Sequence, residues 1–295
     1  MQSEIQRESM LRRGLIDETG ARHRRVLLRP LTGWQEATLG TSAGGVDPWD
    51  ADAVLAACIE RLGGYRDVVP DHVEALSVGD RARLALTLSA MMFGDRLWLT
   101  VACPNPACGE PADLQVSLAE VLDHADEAEP EWLEVATPDG PARFRPPTGA
   151  DERAAAGDDA PGPADMRDAA LWCRIVARVG HRGPLTREDW LALAPASRQA
   201  IALALADAGS APELFFASHC PACAAWIELD LDPIDLLVRQ FRLGADRLLA
   251  EVHSLAFHYG WSEDQILNLP RSRRWRYIEL LRNQLEGRSL LGPWS

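Results

Sequence analysis

The stretch LFFASHCPAC (residues 214–223) is a second edition of LWLTVACPNPAC (residues 97–108), and the reading of that pair decides the fold. Each is an apolar run that ends in a cysteine knuckle, Cys103-x4-Cys108 in one and Cys220-x2-Cys223 in the other. Two further anchors recur in the same order. RPLTGWQE (29–36) returns as RPPTGADE (145–152), and AVLAACIERLG (53–63) returns as DAALWCRIVARV (168–179), with Cys58 matching Cys173. Three anchors at a nearly constant offset of about 116 residues imply an internal repeat.

The local signals within one unit predict an α+β fold. The stretch EWLEVATPDGPARFRP (131–146) alternates apolar and polar residues about Pro-Asp-Gly, as a β-hairpin does. Polar loops rich in Gly, Ala, Asp and Pro follow (40–47 and 154–164), then two amphipathic helices, the second at 80–93 and 196–208. Each knuckle is followed by an alternating run (113–117, 226–232) and a helix-like run (118–124, 233–241). The chain therefore divides into an N-terminal tail (1–13), repeat 1 (14–125), repeat 2 (126–241), a C-terminal helical module (242–288) and a terminal tail (289–295). In that module DRLLAEVHSLAFHY (246–259) has helical periodicity, Gly260 stops it, Ser262 to Gln265 forms a capping box, and a third helix opens at Arg271. Trp275, Ile278, Leu281 and Leu285 form one stripe of that helix, with Trp275 and Ile278 expected to be buried.

Counting the cysteines gives the site. A structural zinc ion takes four thiolate or imidazole ligands in a tetrahedron, and each repeat supplies two. One site shared between the repeats, with Cys103, Cys108, Cys220 and Cys223 as ligands to one zinc per chain, satisfies the count and clamps the halves together. Proline after the first cysteine of each knuckle pre-sets the turn whose amides face sulfur. Two thiol pairs without metal, or a redox or disulfide role, are the competing readings. A redox dithiol needs a thiolate at a helix N-terminus, whereas both knuckles lie between strand-like runs. Cys58 and Cys173 lie in apolar helical runs and read as core residues. His219 reads as a flanking residue, and His253 and His258, at i and i+5, do not share a helical face.

No catalytic constellation is present: there is no GxSxG, HExxH, P-loop or GxGxxG. The pairs Asp158/Asp159 and Asp230/Asp232 read as solvated carboxylates. No small-molecule substrate is expected. All 30 basic residues are arginine, yet 44 acidic residues leave a net charge of −14, which repels phosphate backbones. RSRRWR (271–276) is the local exception and invites a helix-turn-helix, zinc-ribbon nucleic-acid-binding reading as the alternative. With no 18-residue apolar run and no apolar core in MQSEIQRESMLRRG (1–14), neither a membrane span nor a signal peptide is expected, and the expected compartment is the cytoplasm.

The segment HYGWSEDQILNLPRSRRWRYIELL (258–281), the RPLTGWQE opening and the paired knuckles together resemble the T4-type phage baseplate hub assembly chaperones, a family also found in phage-derived contractile injection systems. The resemblance spans about residues 24–286, and its most specific part is Trp-Ser-x3-Ile-x2-Leu-Pro followed by an arginine-rich helix. It implies a non-enzymatic protein that binds hub, spike or baseplate proteins of a contractile tail, as an assembly chaperone or a minor component. It carries over no functional residues beyond the cysteines.

Overall fold

The structure is a computed structural model that describes residues 7–40, 50–122, 128–156, 164–208 and 214–288. The first half begins with β1 (Arg7–Ile16) and β2 (Arg22–Leu28), an antiparallel pair. Helices α1 (Gly33–Gly40) and α2 (Asp50–Cys58) follow, and β3 (Ile59–Leu62) then adds to β2, giving the sheet order β1-β2-β3. Next come α3 (Pro70–Glu74), α4 (Val78–Phe93), the hairpin of β4 (Arg96–Ala102) and β5 (Pro111–Ser117), and α5 (Leu118–Leu122).

The second half runs through the same kinds of element in the same order. A hairpin of β6 (Leu133–Val135) and β7 (Ala142–Phe144) is followed by α6 (Gly149–Ala156) and α7 (Ala164–Ile175). Strand β8 (Val176–Val179) completes a β6-β7-β8 sheet. Then come α8 (Arg187–Ala192), α9 (Pro195–Asp207), the hairpin of β9 (Phe215–His219) and β10 (Trp226–Asp230), and α10 (Pro233–Tyr259). The short α11 (Glu263–Leu267) and α12 (Arg271–Leu285) close the described chain.

The structure differs from the sequence reading at several places. The runs around Cys58 and Cys173 are not wholly helical: each helix hands over directly to a strand whose partner is the free edge of the hairpin. The Arg29 N–H donates to the Cys58 carbonyl at 2.8 Å, and the Arg145 N–H to that of Ile175 at 3.1 Å, so the edge strand satisfies backbone groups that a longer helix would leave exposed. Residues 7–13, assigned to an N-terminal tail (1–13), belong to β1. The boundary between 241 and 242 falls inside α10, which is one 27-residue helix. Asp232 caps it, Pro233 occupies its first turn and nothing breaks it before the left-handed Gly260. Last, the α12 stripe is only partly enclosed: Leu281 is buried and Ile278 part-buried, whereas Leu285 is exposed and Trp275, expected to be buried, is over a third exposed beneath the Arg247 guanidinium. The polar loops 40–47 and 154–164 fall largely outside the described residues.

The first half buries Leu11, Val26, Leu28, Leu55, Leu84 and Leu88 around α4, and Leu237 and Phe241 of α10 join that core. The second half has its own core around Phe144, Val176, Trp190 and Ile201. Helix α4 starts at Ser77, whose Oγ accepts from the Asp80 N–H. Its buried Asp80 carboxylate in turn accepts from the main-chain N–H groups of Arg12 (2.7 Å), Arg13 (3.1 Å) and Gly14 (2.7 Å), where β1 slips register.

What locks the elements together is a pair of buried guanidinium groups. The RPLTGWQE segment opens α1, with Gln35 Oε1 accepting from the Thr32 N–H at 2.9 Å. Its Glu36 receives Arg274 Nη2 at 2.9 Å and Arg271 Nη1 at 3.2 Å, and Arg274 also donates to Glu251 of α10 and to the Leu269 carbonyl. The RPPTGADE segment opens α6 in the same way, with Asp151 Oδ2 accepting from the Thr148 N–H at 3.0 Å. Its Glu152 receives Arg81 Nη1 at 2.9 Å, while Arg81 Nε donates to Asp52 of α2 at 2.9 Å. The glycine of each segment lies against the guanidinium: a Cβ on Gly33 meets Arg274 at 2.9 Å, and one on Gly149 meets Arg81 at 2.8 Å. Each Thr-Gly therefore presses bare backbone onto a planar cation, which a larger residue would hold away.

Two outcomes are expected. Arg274→Ala leaves Glu36 with Arg271 alone and takes from Glu251 its buried partner, lowering unfolding free energy by about 3–5 kcal/mol in denaturant titration, whereas the exposed Arg276→Ala changes it by under about 0.5 kcal/mol. Glu129 is buried beside Asp80, and burial followed by that like charge lifts its carboxyl from 4.5 to about 7. The fold thus favours its neutral form, a contribution complete below about pH 4.5 and lost as pH rises through about 7. Glu129→Gln raises the thermal midpoint at about pH 8, by the equivalent of about 1–3 kcal/mol, and leaves it nearly unchanged at about pH 4.

Candidate metal centre

The two knuckles are the tips of two antiparallel hairpins, β4–β5 and β9–β10. At their bases Leu97, Val116, Leu214 and Leu236 share one small core with Leu86 of α4, which sets the arms side by side. At their tips Ala112 and Ile227 pack with the cysteines. Each tip is closed by the same main-chain bond: the Cys103 N–H donates to Glu110 O at 2.9 Å, and the Cys220 N–H to Ala225 O at 2.8 Å. The residue after the second cysteine is left-handed in both, Gly109 at φ +61° and Ala224 at φ +57°. Ala224 holds that conformation against the usual side-chain preference, so the turn is imposed by the site around it.

The longer spacing of the first knuckle is taken up by a turn at Asn105, whose carbonyl accepts from the N–H groups of Cys108 and Gly109. Asn105 is the contributor that the sequence reading missed. Its Oδ1 accepts from the Ala107 N–H at 3.0 Å, and its Nδ2 donates to Cys223 Sγ, on the other hairpin, at 3.7 Å. An asparagine between two prolines signals a turn, but not that its amide reaches a sulfur 118 residues away.

All four predicted cysteines meet. Cys103, Cys108, Cys220 and Cys223 place their sulfurs within 4.8 Å of one another. The cross-hairpin separations are 3.6 Å for Cys103–Cys223 and 3.9 Å for Cys108–Cys220, and all four thiols are free. A disulfide requires about 2.05 Å. A tetrahedron with metal–sulfur bonds of about 2.3 Å has edges of about 3.8 Å, between the two observed separations. Main-chain N–H groups two residues on point at three of the sulfurs: Asn105 at Cys103, Glu110 at Cys108 and Ala225 at Cys223. The Ala225 N–H is the main reason that the Cys223 thiol falls to about 7. At Cys103 the Asn105 N–H is outweighed by burial and the neighbouring thiols, which together push it up to about 12. Four thiols so close repel as thiolates, and a divalent cation is the chemistry that removes the repulsion. The donor set fits a closed four-sulfur metal site.

The other cysteines and histidines do not join it. Cys58 is fully buried as the last residue of α2, its thiol pushed up by burial, whereas Cys173 is half-buried two residues before the end of α7; the place of Cys58 is taken there by Ile175, which likewise precedes the edge strand and accepts from an arginine N–H, so the matching of Cys58 with Cys173 is two residues out of register. His219 stacks edge-on against Trp226, with centroids 4.8 Å apart, and His253 and His258 are exposed on α10. Asp230 is exposed on its strand and Asp232 caps α10, while Asp158 and Asp159 lie outside the described residues. No helix among the described residues is long and apolar enough to cross a membrane. Comparison of the chain with family profiles, with curated proteins and with solved structures finds no match.

A metal held by all four sulfurs would make the two arms one unit. Cys220→Ser is expected to raise hydrogen-exchange rates in both 96–117 and 215–230 together, and not in the second arm alone.

Proposed function

We propose that the chain is a non-enzymatic assembly chaperone, or a minor component, of the baseplate hub of a contractile phage tail or phage-derived injection system. It acts in the cytoplasm by binding hub, spike or baseplate proteins, and Cys103, Cys108, Cys220 and Cys223 hold one structural zinc ion. The observation that carries this reading is where the resembling segments lie. Glu36 of RPLTGWQE and Arg271 and Arg274 of NLPRSRRW form one buried ion-pair node. The signature thus encodes an architectural joint, which suits a protein that works by presenting surfaces. The −14 charge and the enclosure of Arg271 and Arg274 by carboxylates weigh against the nucleic-acid reading.

The halves are further read as two copies of one unit: hairpin, helices, third strand, helix pair, knuckle hairpin and helix. The matching sheet orders β1-β2-β3 and β6-β7-β8, and the paired Thr-Gly segments, support the duplication.

Purified chain is expected to carry about one zinc by elemental analysis, and chelation to unfold both halves in one transition. A pull-down of tagged chain from cells expressing its gene cluster, read by mass spectrometry, is expected to recover hub, spike or baseplate proteins. Recovery of none of these, with nucleic acid in their place, overturns the reading.

A further inference from the structure

The helix pair that receives each Thr-Gly segment occurs three times. In each case a short helix contributes a buried apolar residue, Val73, Trp190 or Ile266, and a leucine follows three residues later, Leu76, Leu193 or Leu269. The next residue is the N-cap of a long helix, Ser77 for α4, Ala194 for α9 and Pro270 for α12. The fourth residue after each cap is arginine: Arg81, Arg198 and Arg274. A neighbouring helix adds an acidic residue, Asp52 on α2, Asp168 on α7 and Glu251 on α10.

Two of the three slots are filled from within the chain. Thr148 bridges Ser77 and Glu152 pairs with Arg81, while Thr32 bridges Pro270 and Glu36 pairs with Arg274. At α9 the corresponding place is a cleft of about 280 Å³ lined by Asp168, Trp172, Trp190, Pro195, Arg198 and Ala202. Among the described residues the Arg198 side chain has no hydrogen-bond or ion-pair partner, and its Nε is enclosed without one. Asp168 is exposed. Trp172 and Trp190 stack at 5.1 Å and give the cleft an apolar wall.

We infer that the cleft between α7, α8 and α9 is a docking slot for the first turn of a helix from a partner protein, one opening with Thr-Gly and bearing glutamate four residues after the threonine. The glutamate pairs with Arg198, and the bare glycine backbone lies on the guanidinium, as at Arg81 and Arg274. The partner is a different protein, because both Thr-Gly-x-x-Glu segments of this chain, 32–36 and 148–152, are already docked on buried arginines. One feature sets this slot apart. Val78 N–H donates to Pro147 O in the filled slot at α4, whereas its counterpart Pro195 has no N–H to give, so that main-chain bond cannot form here and the contact is weaker and exchangeable. The inference rests on the duplication and on the protein-docking role proposed above.

The probe is a labelled, end-blocked peptide RPPTGADERAAA, residues 145–156 of this chain, titrated into the full-length protein by fluorescence anisotropy. Saturable one-site binding is expected, weakened at least about tenfold by Arg198→Ala in the protein, and by the Gly149→Val or the Glu152→Gln change in the peptide. Ala202→Trp fills the cleft from an exposed position without altering charge and is expected to abolish binding, with circular dichroism confirming that both variants are folded. Absence of saturable binding at millimolar peptide, or binding indifferent to Arg198→Ala and Ala202→Trp, overturns the slot. Self-association of the chain that Arg198→Ala abolishes assigns the slot to a second copy and overturns the stated occupant. If the wild-type pull-down still recovers baseplate proteins when the peptide fails, the slot is wrong while the proposed function stands.

Discussion

An arginine can be buried in a protein only if its charge and its donors are met, and two such arginines organise this molecule. Arg81 and Arg274 are almost wholly enclosed, each between a carboxylate on a core helix and a carboxylate at the start of a docking helix. Desolvating a guanidinium is so unfavourable that the incomplete arrangement is strongly selected against. The contacts are therefore less a source of net stability than a specification of which helix goes where. Hydrophobic packing fills the two main cores, but apolar surfaces tolerate sliding, and the paired charges do not.

The four-cysteine cluster has the complementary task. Two-stranded hairpins are marginal on their own, and each of these arms has only a narrow apolar base shared with α4 and α10. Bringing the tips together around four sulfurs fixes the far ends of the arms, so that Trp98, Phe215 and Trp226, all at least half exposed, are displayed on a braced surface. The left-handed Ala224 and the Asn105 amide are the local signs that the tips are held by the site.

Much of this was legible in the residues. The recurrence of the Cys-Pro knuckles located the sulfur cluster, because ligand number is a counting constraint that holds whatever the path of the chain. The helix pairs and hairpins were visible because amphipathic periods of 3.6 and 2 come from burying one face of each element. Strands β3 and β8 were not, since IERL and VARV continue an apolar helical pattern and become strands only because a hairpin edge is available. Nor was the burial of Arg271 and Arg274 visible: an arginine's place depends on where acidic partners lie, and Glu36 is more than two hundred residues away. For the same reason the Thr-Gly segments could be matched to each other but not to the guanidinium groups they meet.

The Glu36–Arg274 pairing also sets an order of events in time. The two residues are 238 positions apart, so the first docking helix leaves the ribosome long before the side chain that anchors it exists. The Arg81–Glu152 pair, 71 positions apart, can close much sooner, and the sulfur cluster only once both knuckles have emerged. Synthesis therefore permits the Arg81–Glu152 joint to close first and the Glu36–Arg274 joint last. Until Arg274 has been made, Glu36 at the start of α1 lacks one of the two guanidinium groups that enclose it.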